Sequence, residues 1–422
     1  MKQWYNIPVK HQYSLVQALY WMSSCTLGGF AAVYLQYRGL SNTLIGVVVG
    51  GGACLSMGMQ PLAAQITEEI PFLTVKKMIQ LLIICMAGLY AVLTFAPLSV
   101  TGVMAVYMMM NTLNSCMPPF LSTMGMEFIN RGHYLNFGLS RGLGSICFAF
   151  CAAALGFMIE KLYPGILGYI YVAIAALLLT AVSFMEDLGN ERKTVKKQVR
   201  QNMDVGMFQI AMGDPVFLRL MIGFFLTNIS NAAVSTYMVN IVRNLGGTDS
   251  TLGIANFVSA ASEMPVMLLF GLMMKRSNCL KLLKVSAVFF VIKPMILLSA
   301  GNLAAALMGF GLQGLSFGLF TPAAVYYVNN AIPPRMRVKG QAVFSMITSG
   351  AAVCGGNLLG GWLQDTFGLR MMLGVCVMMA FAGMLVVISL PEEREEWLPV
   401  LFRMRRWGYQ RRQRKKMSGG CC

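Results

Sequence analysis

Charge is the first thing this chain lacks. Only 12% of its 422 residues are charged, where a soluble domain carries about a quarter. Acids are the rarer sign, 16 against 33 Lys and Arg, and there are two histidines, His11 and His133. So few ligating groups leave no Cys/His cluster at metal spacing. No Gly-rich loop closes on Lys-Ser/Thr to cradle phosphates, which argues against ATP-driven work. With no catalytic constellation, neither an enzyme nor a cofactor is expected. A disulfide framework is missing too. Most of the 11 cysteines lie in apolar runs, among them Cys25, Cys54, Cys85, Cys147 and Cys354, where cysteine acts as a small hydrophobe. The terminal Cys421-Cys422 pair does not fit the C-a-a-X prenylation pattern. Residues 1–12 are polar and the first apolar run is a full span, so no cleavable leader is expected.

What is present in quantity is apolar surface. Hydrophobic residues make up 57% of the chain, more than a core of this size can hide from water. Lipid is the solvent that accommodates them, and a helix crosses it with roughly 20 apolar residues. Twelve spans are predicted: 13–35, 42–64, 76–96, 100–126, 137–160, 164–185, 216–241, 250–273, 279–300, 302–328, 339–362 and 369–390. The fold class is therefore an all-α membrane protein. The net charge of +17 does not point to nucleic acid, because its location explains it. Lys and Arg crowd the loops on the side of the two termini. The other side holds only Arg38, Lys161, Arg243 and Arg370, and Arg141 and Lys293 fall within spans. By the positive-inside rule both termini are cytoplasmic. The basic tail at 403–416, with Trp407 and Tyr409, either lies on anionic lipid or is disordered.

The spans divide into two blocks of six. The stretch at 186–215 is polar and basic, with Glu191-Arg192-Lys193 and Lys196-Lys197, and reads as a cytoplasmic linker. It separates an N-terminal bundle at 1–185 from a C-terminal bundle at 216–390, followed by a basic tail at 391–422. The blocks also resemble each other. Gly39-Leu40-Ser41-Asn42-Thr43-Leu44-Ile45-Gly46 follows span one, and Gly247-Thr248-Asp249-Ser250-Thr251-Leu252-Gly253 follows span seven. Spans five and eleven both carry glycine ladders. Paired six-span halves are a transporter architecture, with a solute site between them near the bilayer midplane.

An ionisable group inside a span is a functional candidate by default. Of the acids, only Glu263 lies well inside one, in Ser262-Glu263-Met264-Pro265. Burial disfavours the charged form of a carboxyl, and a carboxyl that changes protonation with its surroundings is what a proton carrier requires. Lys293, deep in span nine, is the expected partner of Glu263. Arg141 offers a planar fork of donors and either binds solute or closes a gate with Glu127. Uncharged polar groups at span depth are Gln17 and Tyr20, Asn111 and Asn114, Asn228 and Asn231, Asn256, and Gln313. Each either lines a cavity or ties helices together.

Several segments resemble the major facilitator superfamily, in the branch of lactose permease, nucleoside–proton symporters and related permeases. These are Tyr34-Leu35-Gln36 with Gly39-Leu40-Ser41 and Ile45-Gly46, Gln60-Pro61-Leu62, Gly138-Leu139-Ser140-Arg141-Gly142-Leu143-Gly144-Ser145, Ser262-Glu263-Met264-Pro265, and Gly314-Leu315-Ser316-Phe317-Gly318-Leu319-Phe320. The resemblance implies two pseudo-symmetric six-helix bundles and alternating access. It places Arg141 where a sugar-binding arginine stands and Phe148 where a tryptophan stacks on the sugar. Lys293 falls where the family has arginine, and Gln313 where many members have histidine. The proton-carrying and sugar-binding glutamates of lactose permease fall at Ser316 and near Thr123. That argues against lactose and leaves Glu263 to carry any proton. After span two, Ala64-Gln65-Ile66-Thr67-Glu68-Glu69 is a degenerate form of the gating motif. The expected protein is a monomeric permease moving a small polar solute, such as an oligosaccharide or nucleoside, with protons. Its other partners are membrane lipids. Efflux of amphipathic compounds, or a membrane scaffold or sensor that transports nothing, are the competing readings.

Overall fold

The computed structural model describes residues 8–70, 72–135, 137–189, 215–332 and 337–391. The expectations for residues 1–7, for the basic linker between 190 and 214, for the tail beyond 391 and for Cys421-Cys422 lie outside these residues.

Among the described residues the chain forms twelve helices of spanning length. The first, α1, runs over Val9–Gly29, bends by 47° and continues as Ala31–Tyr37. There follow α2 (Asn42–Glu69), α3 (Val75–Phe95), α4 (Val100–Asn130), α5 (Phe137–Lys161) and α6 (Ile166–Phe184). The second set is α7 (Pro215–Thr236, continued by Met238–Asn244), α8 (Asp249–Arg276), α9 (Cys279–Ser299), α10 (Leu303–Ala331), α11 (Gly340–Phe367) and α12 (Leu369–Ile388). Ten of these are long and apolar enough to cross a bilayer, and the bent α1 makes an eleventh. The twelfth, α4, has ample length at 31 residues. Its apolar character is diluted by Asn111, Asn114, Ser115 and the Pro118-Pro119 pair. Helices overrun the predicted spans at several ends. The degenerate motif at 64–69, expected in a loop, is instead the last turn of α2.

Capping explains many of the starts. Ser41, Thr74, Ser99, Asn278 and Asn302 each accept a backbone N–H of the first turn they precede. Such a cap contributes about 1 kcal/mol. At the turn after α1, Gly39 has φ +84°, and at the matching turn after α7, Gly246 has φ +78°. A side chain is disfavoured in that left-handed conformation, so the glycines recur in the sequence because the turn recurs in space.

Packing repeats the symmetry. In the first half α1 packs on α5 and α6, α2 on α4, and α3 on α4 and α6. In the second half α7 packs on α11 and α12, α8 on α10, and α9 on α10 and α12. Adding six to every label of the first set yields the second. The halves meet through α2 on α11 and α5 on α8, again an exchanged pair. Both meetings need bare backbone. A Cβ on Gly46 would strike the Asn357 carbonyl, and one on Gly156 or Gly253 would strike the other helix's backbone. Close approach of this kind is how small residues hold membrane helices together.

Candidate functional site

Helix direction defines two ends. The basal end carries the start of α1 and the ends of α2, α4, α6, α8, α10 and α12. The far end carries the turns after α1, α7 and α11.

Hydrogen bonds between the halves cluster at the far end. Asp365 of α11 accepts from the Thr43 backbone N–H at 2.6 Å, the Thr43 hydroxyl at 2.7 Å and Asn42 Nδ2 at 2.8 Å. Asn240 donates to Asn42 Oδ1 at 2.8 Å and to Gln364, and accepts from Gln36 Nε2 at 2.8 Å. Arg243 bridges Gln36 Oε1 at 2.8 Å and Asp249 at 2.9 Å. Tyr237 donates to the Asn42 and Asn357 carbonyls, and Glu160 of α5 accepts from the Ser250 N–H at 3.0 Å. Charge-assisted bonds to a carboxylate are about twice as strong as neutral ones. The far end is latched.

Deeper in, the two in-span charges of the second half come together. Lys293 of α9 is 2% exposed, and an ammonium there needs polar partners. Its Nζ donates to Asn231 Oδ1 of α7 at 2.9 Å and to Gln313 Oε1 of α10. Gln313 in turn donates through Nε2 to Glu263 Oε1 of α8 at 3.3 Å. The partnership expected between Lys293 and Glu263 thus runs through Gln313, and four helices contribute to one chain of bonds. Local backbone geometry allows this. Residues Gly314–Gly318 of α10 form a π-helical turn, a feature common at functional sites. The Gly314 N–H donates to Ser262 Oγ at 2.9 Å. A side chain at Gly314 would strike the Ser262 carbonyl, and one at Gly318 would crowd Glu263. Two glycines therefore seat α10 on α8 at the carboxyl. Pro265, just beyond it, is absorbed within a continuous α8.

On the first half, Arg141 turns to Trp21 of α1, with its guanidinium 3.8 Å from the ring centroid. It also donates to Ser145 Oγ at 3.1 Å. A cation over an indole face is attracted by the ring quadrupole. Gly144 leaves room for that ring, because any side chain there would strike it. Arg141 therefore faces inward. Its helix, α5, packs on α8, which carries Glu263. Trp21 was not singled out from the sequence. The signal was its depth, since tryptophan in membrane helices favours the interfaces.

The remaining candidates divide. Asn256 of α8 donates to the Gly29 carbonyl at 3.2 Å, and the Phe148 ring packs against the same glycine. Gly29 ends a second π-helical turn, Cys25–Gly29, so α1, α5 and α8 meet there. Other polar groups are engaged within their own half. Gln17 donates to the Tyr13 hydroxyl at 2.8 Å and Tyr20 to the Asn114 carbonyl at 3.3 Å. Asn114 donates to Ser24 Oγ at 3.4 Å, and Asn111 packs on Gly52 of α2. Asn228 donates to the Phe224 carbonyl of its own helix at 2.8 Å, so the two residues of the Asn228/Asn231 pair have different partners.

This arrangement sets Arg141 on one half and the Lys293–Gln313–Glu263 chain on the other, in two bundles tied at one end. Known proteins with the same build are transporters. Over 415 residues the chain is 22% identical to the uncharacterized transporter YwbF of Bacillus subtilis (strain 168), covering 93% of this chain and 98% of that one. It is 23% identical over 368 residues to the maltose permease of Geobacillus stearothermophilus, covering 85% and 89%. The crystal structure of nucleoside transporter NupG superposes with a TM-score of 0.73 at 14% identity, covering 91% of this chain and 98% of that one. The MFS_1 like family model matches residues 12–375. The chain is a multi-pass membrane transporter, not an enzyme, and it belongs to the MFS_1-like family of the major facilitator superfamily.

Proposed function

We propose that this protein is a secondary active transporter of a small polar solute of oligosaccharide or nucleoside kind, driven by protons. Solute binds between Arg141 on the first half and the Lys293–Gln313–Glu263 chain on the second. Glu263 carries the proton. The observation that carries this reading is the bonded chain itself. A half-buried carboxyl and a buried ammonium are joined by one neutral amide, so protonating Glu263 weakens its hold on Gln313 and frees that amide for solute. Phe148 and Asn256 stand about two turns, ~10 Å, further toward the far end, and Asn231 orients Lys293.

In this reading the termini face the cytoplasm of a plasma-membrane protein, as the Lys/Arg distribution favours. The 186–215 linker joins the halves on that side, and the chain works as a monomer. The far end is then external, and the Asp365 latch holds the externally closed state of an alternating-access cycle.

The experiment is uptake into proteoliposomes under inward and outward proton gradients, with a panel of sugars, nucleosides and amphipathic cations. Wild type is expected to accumulate a polar solute along the proton gradient. Glu263→Gln is expected to retain exchange and lose accumulation. Accumulation that is unchanged in Glu263→Gln would remove the proton role from this carboxyl. Gradient-driven movement of amphipathic cations alone would favour efflux.

A further inference from the structure

We propose that the transported solute is an anion, a sugar acid or another organic acid of similar size, and that Arg141 takes its carboxylate. The proposal rests on the transporter reading above and specifies the solute class for that site.

The argument is one of charge balance. Packing brings three ionisable side chains together: α5, which carries Arg141, lies on α8, which carries Glu263, and Gln313 links Glu263 to Lys293. Two are cations and one is an acid. Glu263 is tied to Lys293 through Gln313, which assigns the one acid to the second half. Arg141 is left with neutral partners, the Trp21 face and the Ser145 hydroxyl. Among the described residues no carboxylate lies within ion-pair distance of it.

A guanidinium has five N–H donors in a rigid fork, and one of them is used here. Removing such a group from water is costly unless it is paired. A stacked indole offsets part of that cost and leaves the fork edge free. The matching ligand is a planar carboxylate, which accepts two parallel N–H bonds. With Glu263 ionised or protonated, a neutral sugar would leave the site carrying a net positive charge, and a monoanion lowers it by one. Trp21 then serves as a backing plate. It lies against the guanidinium, and Gly144 is bare because the ring occupies its side-chain space.

Binding to the purified full-length protein in detergent tests this, read as the shift of the thermal unfolding midpoint. The probes are matched pairs: glucose with glucuronate, galactose with galacturonate, uridine with its 5′-carboxylate, and benzamide with benzoate. In at least one pair the acid is expected to half-saturate at a tenfold or lower concentration than its neutral partner. Arg141→Gln is expected to abolish that preference, and Arg141→Lys to retain part of it. Trp21→Phe keeps a ring under the guanidinium and is expected to retain the preference. Unliganded midpoints establish that each variant folds. Equal binding of both members, an acid preference that persists in Arg141→Gln, or no acid bound at millimolar concentration each overturns the proposal. Proteoliposome uptake separates the two ideas. Acids that bind through Arg141 but are never moved would leave the anion site standing and remove transport. Proton-driven uptake of neutral solutes alone would do the reverse.

Discussion

The two halves share one packing scheme but fill it with different side chains. The core of the first half is built on tyrosine: Tyr13, Tyr20, Tyr34, Tyr90, Tyr107 and Tyr171 are all buried. Tyr34 stacks on Tyr107, and Tyr90 on Tyr171 at 4.5 Å between centroids. Several hydroxyls bind backbone carbonyls of neighbouring helices, Tyr107 to Leu27 at 2.5 Å and Tyr13 to Leu121 at 3.0 Å. The second half buries Tyr237 and Tyr327 but centres its core on phenylalanine. Phe224, Phe290, Phe317 and Phe344 all surround Phe320. Its in-span charges meet at Lys293, Gln313 and Glu263. A buried tyrosine that reaches a carbonyl fixes two helices in one register. A phenylalanine cluster imposes no directional bond. The first half therefore has more directional bonds in its aromatic core and carries Arg141, and the second carries the Lys293–Gln313–Glu263 chain.

Substitutions can break this contrast at graded cost. Phe320→Ala removes the centre of the second core. It should destabilise by about 3–5 kcal/mol, read from thermal unfolding in detergent. Gln313→Leu cuts the link between Lys293 and Glu263 and leaves a charged donor and a carboxylate each short of a partner. About 1.5–3 kcal/mol is expected from that change, together with loss of solute-dependent stabilisation. Asp365→Ala unties the far end while leaving both cores intact. A bias on the order of 1.5 kcal/mol, or tenfold in population, toward a far-end-open state should follow. Spin labels at residues 100 and 301, one on each half, would report it as a longer distance. An unchanged distance distribution would mean that the α2–α11 and α5–α8 glycine contacts hold the end closed without the latch. The smallest effects lie in the tyrosine half and differ from each other. Tyr107→Phe should cost about 1 kcal/mol. Tyr90→Phe should cost almost nothing, because the buried Tyr90 hydroxyl has no hydrogen-bond partner.

Much of this architecture is legible in the chain. Twelve apolar runs, a polar stretch between the sixth and seventh, and the recurring segments at Gly39 and Gly247 foretell the paired bundles, although the turn glycine equivalent to Gly39 is Gly246. Glu263 and Lys293 stand out because a charge inside a span has few neutral explanations. Partners are harder to read, because they come from different helices. Nothing local distinguishes Asn231, which holds Lys293, from Asn228, which binds its own helix. Gln313 as a bridge requires knowing that α8, α9 and α10 converge. The latch was missed for a similar reason. Asp365 sits at a span end, where an acid is unremarkable, and its partners Asn42 and Thr43 lie more than three hundred residues away. Helix ends depend on caps and tertiary contacts, which is why α2 continues through residues read as a loop.

The central claim is that Glu263 carries a proton with the solute. It is tested most directly by following proton movement itself. A pH-sensitive dye is sealed in proteoliposomes, a transported solute is added outside, and no gradient is imposed beforehand. The account predicts that solute entry acidifies the lumen in wild type. In Glu263→Gln the solute should equilibrate with no acidification. Acidification of equal size in both proteins would contradict it.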